Sequence, residues 1–141
     1  MTSLTYRYVA LTDTGLRRPA NQDSGYASNR LLVMADGMGG AAAGDIASAE
    51  AMHIIRQLDR DLDVDAMAAL QQAVAAANAR LGELIAKDPA VEGMGTTLEA
   101  MLWDGSKIAY AHLGDSRAYR LRDGVLEQIS IDHSFVQSLV D

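Results

Sequence analysis

Asp23, Asp36 and Asp115 each fall at the end of an element rather than inside one, and that placement suggests chemistry. Asp36 closes the apolar run "LLVMA" and is followed by "GMGG". A dry segment that finishes on a charge usually presents that charge to something. Asp115 lies in a glycine-flanked turn between two strand-like segments. If those ends are neighbours, several carboxylate oxygens converge with no lysine beside them. Mg²⁺ and Mn²⁺ favour such hard ligands, with water filling the remaining octahedral positions. Gly37, having no side chain, lets its backbone carbonyl approach the same ion, and Gly39 and Gly40 let the chain turn away through positive φ. Taken singly, an Asp before Gly is also an ordinary turn residue. The loop "GMGGAAAG" could instead cradle a phosphate on helix amides, but it has neither the P-loop lysine nor the dinucleotide spacing.

The elements that must position these residues follow from period and punctuation. Residues 4–12 mix β-branched, aromatic and apolar types in rough alternation and read as a strand. "RRPANQDSG" is a loop. A short strand around Tyr26, a turn near Asn29 and a strand over 31–35 follow. The last is apolar on consecutive residues, which predicts that both its faces are covered. Gly44-Asp45 marks a helix start with Asp45 as cap, and Ile46, Ala49, Ile54 and Leu58 fit one face of a helix to about residue 58. Met67, Leu70, Val74, Ala77, Leu81 and Leu84 predict a second helix over 65–87, laid across a sheet. From Thr96 the period becomes two. Strands are expected at 96–103, 107–113, 117–121 and 125–129, joined as an antiparallel meander, with hairpin signals at Asp104-Gly105 and Asp123-Gly124. Ser134 and Gln137 resemble a capping box that opens a last helix.

Composition excludes several function classes. The chain has 141 residues and is 49% hydrophobic, enough for one domain with a real core. Its net charge of −7 argues against a nucleic-acid or anionic-membrane partner. Without cysteine there is no disulfide, thiolate metal site or cysteine nucleophile. The first residues lack the basic and apolar segments of a signal peptide, and the apolar run 31–35 is far too short to span a bilayer. A soluble, cytoplasmic protein is expected.

Five stretches occur in order: "TDTGLRRPANQD" (12–23), "ADGMGG" (35–40), "MGTTL" (94–98), "GDSRAYRLRDG" (114–124) and "DHS" (132–134). This series resembles the bacterial metal-dependent serine/threonine protein phosphatases of the PPM, or type 2C, family, over the whole chain from about Thr12. The resemblance implies an α+β fold, an α-β-β-α sandwich of two antiparallel sheets flanked by helices, here incomplete at the C-terminus. It implies that residues 1–141 are the N-terminal portion of a single such domain.

Residue by residue, the resemblance makes Asp36 the aspartate that bridges two catalytic metals and Gly37 the glycine whose carbonyl binds one. Arg18 corresponds to the arginine that holds the substrate phosphate, a task suited to a planar guanidinium that binds two oxygens at once. Arg17 beside it reads as a solvated charge. Asp23 corresponds to a carboxylate that orients metal-bound water, and Asp115 to the ligand of a third, weaker metal. The cofactor implied is Mn²⁺ or Mg²⁺, two ions and a third in the full-length protein. The implied reaction is in-line attack on phosphorus by a water whose pKa the metals lower, with Arg18 balancing charge and no protein nucleophile. The implied substrate is phosphoserine or phosphothreonine on a protein, opposing a Ser/Thr kinase.

The sequence also departs from the family. Gln22 stands where many relatives carry a glutamate that reaches a metal through water. Met38 stands where some carry a histidine, so a water must protonate the leaving group; loop packing is the equal reading of Met38. Further metal aspartates, in motifs resembling "SDG" and "GxxDN", have no counterpart after "DHS". The 141-residue piece is therefore expected to bind at most one dication tightly, to turn over weakly or not at all, and to self-associate through uncovered strand edges. A non-catalytic phosphoprotein-binding module is the alternative. His53, His112 and His133 show no metal-ligand spacing and read as structural. Thr96 and Thr97 read as strand residues near the site rather than nucleophiles.

Overall fold

The computed structural model of the protein describes residues 5–40 and 43–132. Along them run β1 (Asp23–Ala27), β2 (Leu31–Met38), α1 (Ala43–Ile55), α2 (Ala66–Lys87), β3 (Gly95–Thr96), β4 (Leu98–Trp103), β5 (Ile108–Leu113), β6 (Tyr119–Arg122) and β7 (Val125–Gln128). Single 3-10 turns occupy Arg56–Leu58 and Pro89–Val91. One antiparallel sheet has the order β1-β2-β4-β5, with β3 a short extra strand on β2. β6 and β7 form a second, two-stranded sheet. The architecture is the expected mixture of helices and antiparallel sheets. The helix expected from Ser134, and His133, lie outside the described residues.

The core forms where period-two strands meet period-3.6 helices. Leu31, Val33 and Ala35 alternate with Leu32, Met34 and Asp36, and the register sets Leu31 opposite Leu102 and Val33 opposite Ala100. These inward residues share one cluster with Met52, Ile55 and Leu58 and with Ala66, Ala69 and Leu70 of α2. Leu31, Ile55 and Leu102 are fully buried, each such side chain contributing about 1.5–3 kcal/mol. The expectation that both faces of 31–35 are covered fails. Met34 is 44% exposed, because a continuous apolar run reads alike whether its second face meets a layer or solvent.

α1 packs on β1, β2 and β3, while α2 packs on α1 and reaches β5. The face that α1 buries is Ala43, Gly44, Ala47, Ser48, Ala51, Met52 and Ile55. The expected face was different: Ile46 and Ala49 are exposed, Ile54 is half-buried, and Leu58 is buried only beyond the helix end. Small residues win because this helix lies on backbone. A Cβ on Gly37 would stand 1.9 Å from the Gly44 carbonyl oxygen. Asp45 is not the cap either; it sits inside the first turn, where its charge still complements the exposed amides. The helix expected over 65–87 is α2, and Asp65 proves to be its N-cap, accepting from the Ala68 N–H at 3.3 Å. Of its stripe, only Met67 is exposed.

Three strand expectations need correction. Residues 5–12 pair with no strand; Tyr6 N–H reaches the Asn29 carbonyl at 3.0 Å, yet Tyr8, Val9 and Leu11 stay exposed. Alternation marks a segment able to pair, but a strand also needs a partner. The strand expected at 96–103 is broken at Thr97 into β3 and β4. The meander divides after β5, since β6 pairs only with β7. Both hairpin turns are present, and positive φ at Asp123 and Gly124 gives the second a primed geometry.

On the sheet face away from the helices, Glu99 is 7% exposed. It accepts hydrogen bonds from the Tyr110 hydroxyl and from His112 Nδ1, while His112 Nε2 donates to the Ile131 carbonyl at 2.6 Å. With an acceptor at each ring nitrogen, His112 is fully satisfied only as the imidazolium. Burial pushes its pKa down, but the bonds to Glu99 and Ile131 and the charges of Glu99 and Asp132 outweigh that and raise it.

Gly37→Ala should lose about 2–3 kcal/mol in urea unfolding, because backbone cannot yield as a side chain does. Gly82→Ala, at a helix position open to solvent, should gain about 0.5–1 kcal/mol. A histidine raised in the folded state stabilises fully below its unfolded value, about 6.5, and that stability is lost as pH climbs through the folded value. The urea midpoint should therefore fall as pH rises above about 6.5, and Glu99→Gln should flatten that part of the slope.

Candidate functional site

The pairing of β1 with β2 places Asp23 directly opposite Asp36. Like charges in that position repel, and the fold keeps them there. The Asp23 carboxyl, held across the ladder, disfavours ionisation of Asp36. Asp36 accordingly titrates above the ordinary carboxylate range. Desolvation of its carboxyl is the largest cause, followed by hydrogen bonding to Asp23 and the charges of Asp23 and Asp115, with Arg18 opposing.

Asp36 opens into a cleft of about 570 Å³ lined also by Arg18, Gln22, Gly37, Met38, Thr97 and Asp115. Five of the six expected site residues thus line one cleft, and Asp23 joins them across the β1–β2 ladder. Arg17 is exposed and does not line it. Gly39 and Gly40 have φ of 119° and 95°, the positive values expected of a chain that turns sharply away. Among the described residues, no group of three His, Cys, Asp or Glu side chains is placed to hold a metal ion unaided.

The loop carrying Arg18 is tied down by Asn21. Its side-chain amide donates to Thr12 Oγ1 at 2.6 Å, and its side-chain oxygen accepts from the Asp23 N–H at 2.9 Å. Gln22 ties two elements together. Its side-chain amide donates to the Gly40 carbonyl at 2.5 Å, and its own carbonyl accepts from the Gly37 N–H and from the fully buried Ser48 hydroxyl. The residue that stands for a glutamate therefore has structural work, holding the glycine loop against α1.

Thr97 was legible as a neighbour of the site but not as its joint. Its N–H donates to the Asp36 carbonyl at 2.9 Å, its hydroxyl accepts from the Asp36 N–H at 3.0 Å, and the same hydroxyl meets Ser116 Oγ at 2.6 Å. Ser116 was also missed; the only trace of either is the hydroxyl pair in "TT" and the one in "GDS". His112 has the structural role expected of it, bonded to Glu99 and the Ile131 carbonyl, and His53 is exposed near the end of α1.

Known proteins share this sequence and fold. A family model described as Protein phosphatase 2C matches residues 18–138. The chain is 49% identical over 140 residues to the serine/threonine protein phosphatase PstP of Mycobacterium tuberculosis, covering 99% of this chain and 27% of that protein. It is 35% identical over 139 residues to the protein phosphatase PhpP of Streptococcus pneumoniae, covering 92% of this chain and 56% of that one. It thus spans well under two thirds of the length of these relatives. The crystal structure of the M. tuberculosis phosphatase PstP/Ppp superposes with a TM-score of 0.91 at 48% identity, over 97% of this chain and 59% of that one. Another structure, of the PstP catalytic domain in complex with two manganese ions, matches equally, at 0.91 and 48%, over 96% and 60%. The chain belongs to the protein phosphatase 2C family.

Proposed function

We propose that residues 1–141 are the N-terminal portion of one metal-dependent serine/threonine phosphatase domain, which hydrolyses phosphoserine and phosphothreonine on proteins. The observation that carries this reading is the cross-strand pair Asp23–Asp36 with Asp115 on the same cleft. Carboxylates held opposite one another without a lysine are short of positive charge, and a dication supplies it. The manganese ions described with the PstP catalytic domain support Mn²⁺, with Mg²⁺ as the chemically equivalent choice. Asp36, the Gly37 carbonyl and Asp115 would hold these ions, with water and residues beyond those described completing the shells. When bound, the ions supply Lewis acidity and a water of lowered pKa. Arg18, on the same cleft, binds the phosphate through two guanidinium N–H groups, Asp23 orients water through its carboxylate, and Gln22 keeps the glycine loop in place.

The physiological setting follows from the same reading: a cytoplasmic signalling enzyme that opposes a Ser/Thr kinase. The charge of −7 disfavours nucleic acid, and among the described residues no helix is long and apolar enough to cross a membrane. One observation favours a second reading, a module that binds phosphoproteins without hydrolysing them. The described residues alone do not assemble three metal-ligating side chains. The exposed Met34, Met38 and Ile108 further support self-association of the isolated piece.

Asp36→Asn in the full-length protein should abolish Mn²⁺-dependent hydrolysis of a phosphopeptide and raise the thermal midpoint of the metal-free protein, since it removes a repelling charge. Activity near wild type would overturn the metal reading. Arg18→Ala should raise KM about 10- to 100-fold, the loss of charge-assisted hydrogen bonds, while Mn²⁺ affinity measured by calorimetry stays within a few-fold. Light scattering on residues 1–141 should report a dimer or larger species with little turnover; a fully active monomer would refute both statements.

A further inference from the structure

We infer that Thr97 is a positioning residue, which sets the distance between Asp36 and the turn that carries Asp115. The inference rests on the reading of Asp36 and Asp115 as metal ligands. β2, which ends near Asp36, and β5, which leads to Asp115, are not neighbours in the sheet; β4 lies between them. No ladder bond can therefore fix one carboxylate relative to the other. Thr97 stands at the head of β4, at the break between β3 and β4, and is 2% exposed.

Each part of this residue is engaged. Two bonds, N–H to carbonyl at 2.9 Å and N–H to hydroxyl at 3.0 Å, clamp it to both sides of Asp36. Its hydroxyl also meets Ser116 Oγ at 2.6 Å, and Ser116 follows Asp115 directly. Its methyl lies against Gly114, where a Cβ would stand 2.8 Å from it and where φ is +95°. One side chain thus grips the residues before and after Asp115 while holding the backbone of Asp36. The hydroxyl orients, and the methyl sets the approach of the turn.

A residue of this kind acts on ligands through their geometry, and loss of such an orienting contact typically weakens metal affinity by about 10- to 100-fold. The test uses the full-length protein, with Mn²⁺ titrated calorimetrically and unfolding midpoints recorded in parallel. Thr97→Val keeps the methyl and shape but not the hydroxyl, and should weaken Mn²⁺ binding at least tenfold. Thr97→Ser retains the hydroxyl and should recover most of it. Ser116→Ala should weaken binding similarly, and the double variant Thr97→Val/Ser116→Ala should be no worse than the poorer single one, as for residues that share one interaction. If Thr97→Val does not fold, Ser116→Ala decides alone. Mn²⁺ affinity unchanged while only midpoints fall would overturn the inference and leave Thr97 a packing residue. Asp36→Asn is the control: retained Mn²⁺ binding there would instead refute the metal reading beneath it.

Discussion

The backbone of Gly37 meets the backbone of Gly44 so closely that a Cβ on Gly37 would overlap the Gly44 carbonyl. Much else depends on that approach. It brings the first turn of α1 down onto the end of β2, fixes which face of the helix is buried, and keeps that face to Gly44, Ala47, Ser48 and Ala51. It also leaves room for one polar strut, since Ser48 donates to the Gln22 carbonyl and meets the Ser24 hydroxyl. β1 is thereby tied to α1 as well as to β2. With β1 fixed, Asp23 has no freedom to move away from Asp36, and the repulsion between them stays in the fold.

That arrangement stores an electrostatic debt at one end of the sheet while the stabilising burial lies further along it. Leu31, Leu102 and Ile55 sit in the cluster between sheet and helices, and none of the three lines the cleft. A site of this kind is tolerated because the core and the site draw on different residues. The Glu99–His112–Tyr110 group is a contrasting solution to the same problem. There a buried carboxylate is neutralised by the chain's own histidine, so no external cation is called for. At Asp36, among the described residues, it is Arg18 that opposes the charge of its neighbours.

The parts of this structure legible in the sequence are those governed by local chemistry. The extent of α2, the two Asp-Gly hairpins and the positive φ of Gly39 and Gly40 each depend on a few adjacent residues. The convergence of Asp36 and Asp115 on one cleft was readable from ordered motifs and from their place at element ends, and that of Arg18 from its motif alone. What the sequence hid depends on partners distant along the chain. The buried face of α1 was misread because hydrophobicity ranks Ile46 above Gly44, whereas a helix lying on backbone selects for size. Residues 5–12 were misread because alternation says nothing about whether a neighbour exists. Thr97 looked like any strand threonine, since its hydroxyl bonds to residues 61 and 19 positions away.

Every residue of β6 and β7 is exposed. A two-stranded ribbon is marginal in water by itself, so its order is borrowed from its base. There Arg117 grips Asp132 with a 2.7 Å bond and two longer ones, and Ala118 donates to the Ser130 hydroxyl at 3.1 Å. Amide hydrogen exchange in the ribbon would then report sub-global opening at the base, at a free energy well below that of unfolding the core. The turn bearing Asp115 immediately precedes that base. One wall of the cleft is therefore continuous along the chain with an exposed ribbon, and the Thr97–Ser116 contact is what joins that wall to the strand holding Asp36.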